Sequence, residues 1–270
     1  MRAGPGAAAP AAPQPREGVR VAEPLLSIEN VTKVFGGQVT ALEGMTLHLR
    51  EGDFVSLLGP SGCGKSTALR LIAGLISPTR GRIRWREGVD ADLGVVFQEP
   101  TLAPWSRVFE NVWLPLRLKG VPRADACDRV LESIEAVGLG GFDRAFPREL
   151  SGGMKMRVSI ARAMVTRPKL LLMDEPFAAL DEITRFKLND DLLALQSKLN
   201  CTVVFVTHSV FESVFLSSRI VVMAARPGRV IREIGVDAPY PRTETFRTSA
   251  EYAAQCRRAS DALKEAMEAA

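Results

Sequence analysis

The sequence predicts an α/β fold: a mainly parallel sheet flanked by helices, preceded by an antiparallel β subdomain and interrupted by an inserted α-helical subdomain. Three observations carry the prediction. Short, continuously apolar runs such as Leu170–Met173 and Val203–Val206 have the length and composition of strands buried on both faces. They alternate with helix-like segments, the pattern of parallel strands joined by crossover helices. A glycine-rich stretch, Gly59-Pro-Ser-Gly-Cys-Gly-Lys-Ser-Thr67, lies where a strand gives way to a helix. In such sheets the active groups collect at the carboxyl ends of strands.

The elements follow in order. Leu25–Val31, Val39–Leu49 and, more loosely, Gly81–Trp85 alternate as strands, and Asp53–Leu58 reads as a buried strand entering the glycine-rich loop. Ser66–Gly74 reads as a helix and Val95–Phe97 as a short strand ending at Gln98. From there to about Val165 the pattern is mostly helical, with helices over Arg123–Val137 and Ser151–Thr166. Lys169–Met173 is a strand ending in Asp174-Glu175, followed by a helix over Ile183–Leu199, a strand over Thr202–Thr207 and a helix over Val210–Leu216. Strands at Arg219–Ala224 and Val230–Ile234 close the sheet. Ser249 is placed to cap a last helix to about Met267, with Tyr252, Cys256, Ala259, Leu263 and Met267 on a common face. The expected division is a flexible Ala/Pro-rich tail over 1–23, a main domain over 24–245 with its helical insertion at about 99–165, and a C-terminal helix over 246–270.

At 270 residues the chain can bury a sizeable core, and its 46% hydrophobic and 24% charged content is that of a soluble globular protein. The net charge of +4 comes from scattered arginines and reads as a solvated surface, without the clustering of a nucleic-acid stripe. Cys63, Cys127, Cys201 and Cys256 form no C-x-x-C pair, which argues against a zinc site or disulfide framework and fits a reducing compartment. No apolar run approaches the ~18 residues of a membrane span. Met1–Arg20, broken by prolines, lacks the apolar stretch of a signal peptide.

Gly59, Gly62 and Gly64 allow the loop to turn tightly. Amides from about Gly62 to Thr67, in a loop completed by Pro60, Ser61 and Cys63, then converge on a phosphate at a helix N-terminus. Lys65 sets a positive charge against the β- and γ-phosphates, and Ser66 offers a hydroxyl ligand to Mg²⁺. Asp174 reaches the second metal position through water. Glu175 reads as a general base orienting the attacking water, or alternatively as a helix-capping acid before Pro176. Gln98 is placed to reach the metal or the water. His208, one of two histidines, follows the strand Thr202–Thr207 and emerges at the same edge, where a neutral imidazole can hold the γ-phosphate and the water. The helix-start amides around Cys63 predict a lowered thiol pKa, hence alkylation that blocks the site and protection by ATP.

Two further segments, Leu150-Ser-Gly-Gly-Met154 and Ala178-Ala-Leu-Asp181, complete an order of motifs that resembles the ATP-binding cassette (ABC) family over about Leu25 to Val236. Many phosphate-loop proteins share Gly59–Thr67 and Leu170–Glu175; the Leu-Ser-Gly-Gly signature is particular to cassettes. The resemblance implies a P-loop NTPase core acting as an ATPase with Mg²⁺. It implies that Phe35 stacks on adenine (the alternative is an ordinary strand-end aromatic). Ser151, Gly152 and Gly153 would begin a helix facing the γ-phosphate held by a second copy of the chain, and Asp181 would pass the state of one site to the other. Within the family, Phe97–Trp105, Phe109–Val112 and Arg219–Gly228 resemble importer subunits of the nitrate, sulfonate, taurine or pyrimidine-precursor type. Such a subunit works at the cytoplasmic face of the plasma membrane through separate permease subunits, with a periplasmic substrate-binding protein and no nucleic acid. Leu102, Pro104 and Trp105 lie where it would grip the permease, or else they fill the insertion's own core. The alternative from another class is a soluble cassette ATPase acting on nucleic acid or ribosomes. Met156, Ala178 and Ser209 stand where Gln, Ser and Asp are frequent in the family.

Overall fold

A computed structural model of the chain describes residues 23–88, 92–240 and 242–269. The flexible tail expected over Met1–Arg20 lies outside the described residues. Strands β1 (Leu26–Phe35), β2 (Val39–Leu49) and β4 (Arg80–Trp85) pair antiparallel in the order β2-β1-β4. Strands β3 (Phe54–Leu58), β5 (Leu93–Val96), β6 (Leu170–Asp174), β7 (Thr202–Thr207), β8 (Arg219–Ala224) and β9 (Arg229–Gly235) form a second sheet in the order β5-β6-β7-β3-β8-β9. All of its pairings are parallel except the last, β8 with β9.

Continuous apolar runs become strands here because the second sheet is covered on both faces. Val55 and Leu57 of β3, Leu170 and Leu172 of β6, and Val204 and Val206 of β7 pack into one buried cluster with the antiparallel sheet and helix α1 (Lys65–Ile72). Their alternate neighbours Phe54, Leu58, Leu171, Met173, Val203 and Phe205 pack into the other cluster, under the remaining helices. Phe205 is central to that second cluster, with ring centroids 6.0 Å from Phe54 and 5.8 Å from Phe177.

The register fixes where the strands end. Leu58 pairs with Thr207, Val206 with Asp174, and Met173 with Val96. The segments that follow these strands therefore leave the sheet side by side, carrying Gly59, His208, Glu175 and Gln98 to one edge.

Between β5 and β6 the chain forms α2 (Val108–Leu118), α3 (Arg123–Ala136) and α4 (Gly152–Met164). The sequence does not single out α2 as a helix. Its N-cap Arg107 makes no capping bond and Pro115 sits inside it, so both usual signals are missing. Buried Asn111 holds the preceding loop instead, bonding Ala103, Ser106 and Arg107. After β6 come α5 (Glu182–Leu199) and α6 (Val210–Leu216), and after β9 come α7 (Glu244–Arg247) and α8 (Ala250–Glu268). No helix among the described residues is long and apolar enough to cross a membrane.

Ser249 caps α8 by accepting from the Tyr252 amide at 3.0 Å. The buried face of α8 differs from the expected one at its end: Tyr252, Cys256, Ala259, Ala262 and Ala266 are buried, Leu263 is at the margin, and Met267 is 58% exposed. A fixed four-residue step drifts around a helix of 3.6 residues per turn, and the small alanines let α8 lie close against β8 and α6. An acidic residue at Ala262 should therefore destabilise the fold by about 2 kcal/mol or more. The same change at Met267 should stay within about 0.5 kcal/mol. Urea denaturation of A262D and M267D measures both.

Candidate active site

The loop Gly59–Gly64 takes its shape from backbone constraints. Gly62 and Gly64 adopt φ of 79° and 88°, in the left-handed region that favours glycine. A Cβ on Gly64 would also strike the Ala41 carbonyl and Leu42, each at 2.7 Å. Gly64 is the N-cap of α1 and offers no side chain, so the first-turn amides of α1 remain free to face a ligand. Lys65 folds back over the loop: its ammonium donates to the Gly59 carbonyl at 2.8 Å and the Pro60 carbonyl at 2.9 Å, with only 4% of the residue exposed. It also lies 3.9 Å from Glu175 Oε1.

Ser66 donates to Asp174 Oδ1 at 2.9 Å. Burial pushes the Asp174 carboxyl above the ordinary carboxylate range, against the opposing pull of that hydrogen bond. Two hard oxygens held together, one carrying an ionised form that burial penalises, fit Mg²⁺, which takes few protein ligands and keeps waters and phosphates in its shell. Among the described residues no cluster of three or more His, Cys, Asp or Glu is arranged to hold a metal, so the phosphates would complete the shell.

Glu175 has φ +44° and is followed by Pro176, a placement that disfavours an ordinary residue and holds it at some backbone cost. Its amide is anchored to the Val206 carbonyl at 3.0 Å and its Oε2 lies 3.2 Å from His208 Nδ1. Glu175 does not cap a helix; the cap of α5 is Asp181, whose carboxylate accepts from the Thr184 amide at 2.9 Å. That bond and its neighbours hold the Asp181 carboxyl below the usual range.

Lys65, Glu175 and His208 are thus in contact, and Ser66 and Asp174, at the adjoining chain positions, form a second contact beside them; together they make one group at this edge. The other residues singled out by sequence stand outside it. Gln98 is exposed beyond β5, the strand beside β6. Phe35 is 42% exposed at the end of β1, with the Lys33 ammonium 5.0 Å above its ring. Ser151 caps α4, accepting from the Met154 amide at 3.3 Å, with Gly152 exposed beside it. Met156 is buried in the core, and Ser209 caps α6 by accepting from the Glu212 amide at 3.3 Å, a task an Asp would also perform. Of the loop beyond Gln98, Trp105 is 81% exposed and Pro104 is exposed, while Leu102 packs on the core.

The reading of Cys63 as a low-pKa thiol is overturned. The side chain is fully buried beneath the loop, and burial raises its pKa more than the nearby Lys65 ammonium lowers it. A Cβ on Gly59 would meet its sulfur at 2.7 Å. The amides of Lys65 and Cys63 do reach the thiol and pull its pKa down, but burial outweighs them.

Sequence reasoning missed Thr207, Arg185 and Glu212, which support His208 from below. Thr207 donates to Glu212 Oε2 at 2.5 Å, and Arg185 Nε lies 3.7 Å from Glu212 Oε1. The signal was present: Glu212 is the one charge in the apolar run Val210–Leu216, one turn after His208.

A model of the ABC transporter family matches residues 42–178. The chain is 47% identical to an uncharacterised ABC transporter ATP-binding protein of Methanocaldococcus jannaschii, over 84% of this chain and 88% of that one. It is 42% identical to the nitrate import ATP-binding protein NrtD of Synechocystis, over 84% and 89%. It is 43% identical to the aliphatic sulfonates import ATP-binding protein SsuB of Bacillus cereus, over 82% and 89%. Among solved structures, a dimeric bacterial ABC transporter cassette, MJ0796, superposes with a TM-score of 0.70 at 34% identity, covering 79% of this chain and all of that one. The cassette cbiO1 of Clostridium perfringens, part of the transporter complex cbiONQ, gives 0.72 at 26%, covering 84% and 94%. The chain belongs to the ABC transporter family, as one of its ATP-hydrolysing subunits.

Two outcomes follow for the site. Iodoacetamide at pH 7.5 should label half-buried Cys127 in the native protein and leave Cys63 unlabelled until unfolding, as read by peptide mass spectrometry. For Asp174 the folded pKa is raised, so its share of stability is present at low pH and lost as pH rises through that value. Asp174→Asn should therefore raise the melting temperature of the nucleotide-free protein at pH 8, with the gain shrinking toward pH 4.

Proposed function

We propose that the chain drives a membrane importer for a small solute by closing on ATP as a pair of copies. The single observation that carries this reading is the shared edge of β3, β6 and β7, where a buried lysine meets a glutamate–histidine pair and a hydroxyl–carboxylate pair stands at the adjoining positions. In this scheme the first-turn amides of α1 and Lys65 hold the β- and γ-phosphates, and Phe35 stacks on the base. Lys65 exchanges its carbonyl partners for phosphate oxygens when nucleotide arrives. Ser66, Asp174 and Gln98 would hold Mg²⁺. When bound, the ion would neutralise charge on the phosphates.

Glu175 accepts the proton of the attacking water and so sets its line of approach. The His208 ring, 3.2 Å from Glu175 Oε2 in this structure, turns toward the γ-phosphate as the site fills. Ser151, Gly152 and Gly153 of one copy face the γ-phosphate of the other, with Asp181 between the sites. The exposed, capped start of α4 supports this reading, because it stands outside the chain's own contacting group. The dimeric state of the similar solved cassette supports it as well.

Import and a nitrate- or sulfonate-like cargo rest on the named relatives, and permease subunits on the complex that contains cbiO1; a taurine-like or pyrimidine-precursor cargo rests on the sequence resemblance alone. A periplasmic binding protein and a position at the cytoplasmic face of the membrane follow from the same reading. Exposed Trp105 and Pro104 support a permease grip just beyond Gln98.

Glu175→Gln should lower ATP turnover by roughly 10²- to 10⁴-fold while ATP binding persists, and should trap a nucleotide-bound dimer on size-exclusion chromatography. Wild-type turnover in this variant would remove Glu175 from the role of base.

A further inference from the structure

Two segments of the proposed cycle, Ala178–Asp181 between the copies and His208 at the reacting phosphate, have no direct contact in the scheme above. The helices that follow them are tied together by one pair of facing side chains, a half-buried arginine and a buried glutamate. Arg185, in the first turn of α5, donates from its guanidinium to the Leu180 carbonyl at 3.0 Å and so grips the Ala178–Asp181 segment. Its Nε faces Glu212 Oε1 at 3.7 Å, and the Glu212 side chain is only 9% exposed. The other oxygen of Glu212 accepts the Thr207 hydroxyl at 2.5 Å. That hydroxyl in turn accepts the Ser209 amide at 3.0 Å, so one oxygen fixes the backbone on both sides of His208.

Ordinary packing does not explain a slack in this chain of contacts. Glu212 Oε1 and Arg185 Nε are both buried and both lack a hydrogen-bond partner, although they face each other at ion-pair distance. Orphaned buried groups are costly, and a small advance of the α5 start toward α6 satisfies both at once. The pair borders a cleft of about 840 Å³ between α5, α6 and the C-terminal helices, which leaves room for that advance.

We propose that Arg185, Glu212 and Thr207 are positioning residues, a relay that tightens when a second copy engages Ala178–Asp181 and that aims the His208 ring at the reacting phosphate. This rests on the role given to His208 above. None of the three touches the nucleotide; they act through the backbone that carries the imidazole.

The chain has two histidines, and the other, His48, is exposed on β2, so imidazole ¹⁵N NMR of the full chain reads His208 against an internal reference. Thr207→Val removes the hydroxyl with little change of shape, and Thr207→Ser restores it. Thr207→Val should shift the His208 ring resonances, leave those of His48 in place, and lower kcat by roughly 10- to 100-fold with the KM for ATP within about twofold. Thr207→Ser should recover both the resonances and most of the rate. His208 resonances and kcat at wild-type values in Thr207→Val would overturn the relay. So would a loss that Thr207→Ser fails to recover, or one in which KM rises as much as kcat falls, since simple packing predicts those results. His208→Ala separates the two levels: turnover at the wild-type rate sinks the role of His208 itself, whereas a slow His208→Ala beside a fast Thr207→Val sinks the relay alone.

Discussion

The site depends on the parallel pairing of β3, β7 and β6. A parallel ladder repeats its hydrogen bonds evenly and cannot slip by one residue without turning every apolar side chain to the wrong face. Because Val55, Leu57, Val204 and Val206 fill one cluster and Phe54, Leu58, Val203 and Phe205 the other, the register is locked from both sides. With the register locked, the ends of three strands are locked as well. The reactive side chains then need only one or two further residues of chain to meet, which is why Lys65, Ser66, Asp174, Glu175 and His208 form a single group although they are drawn from distant parts of the sequence.

Within that group the charges are arranged against their own preference. Asp174 is buried where its ionised form is disfavoured, and Glu175 holds a left-handed backbone angle. Both costs are carried by the sheet, through the Glu175 amide bonded to the Val206 carbonyl and through the ladder beneath Asp174. Such costs are the usual mark of a site shaped for a ligand that supplies the missing charge.

Much of this was legible in the sequence because it is written in local patterns. Strand β7 and helix α6 stand where the apolar run and the turn before it place them, and the glycine–lysine–serine spacing reports the loop after β3. What escaped was written in relations between distant segments. Helix α2 has no capping signal of its own, because its N-cap is Arg107, while Asn111 inside the helix holds the loop before it. The end of the α8 stripe depended on how closely alanines approach β8. Cys63 was misread because its sequence position says only that it is near helix-start amides, whereas its pKa is decided by how deeply it is buried. The Arg185–Glu212 pair joins residues 27 positions apart, and a single charge in an apolar run was its only trace.

Lys65 has a consequence for the idle protein. Its ammonium rests on two carbonyl oxygens of its own loop and lies 3.9 Å from the Glu175 carboxylate, so the buried charge has partners within the fold. The same ammonium that would meet an anion thus braces the loop from within, and the shape of the cradle belongs to the fold itself.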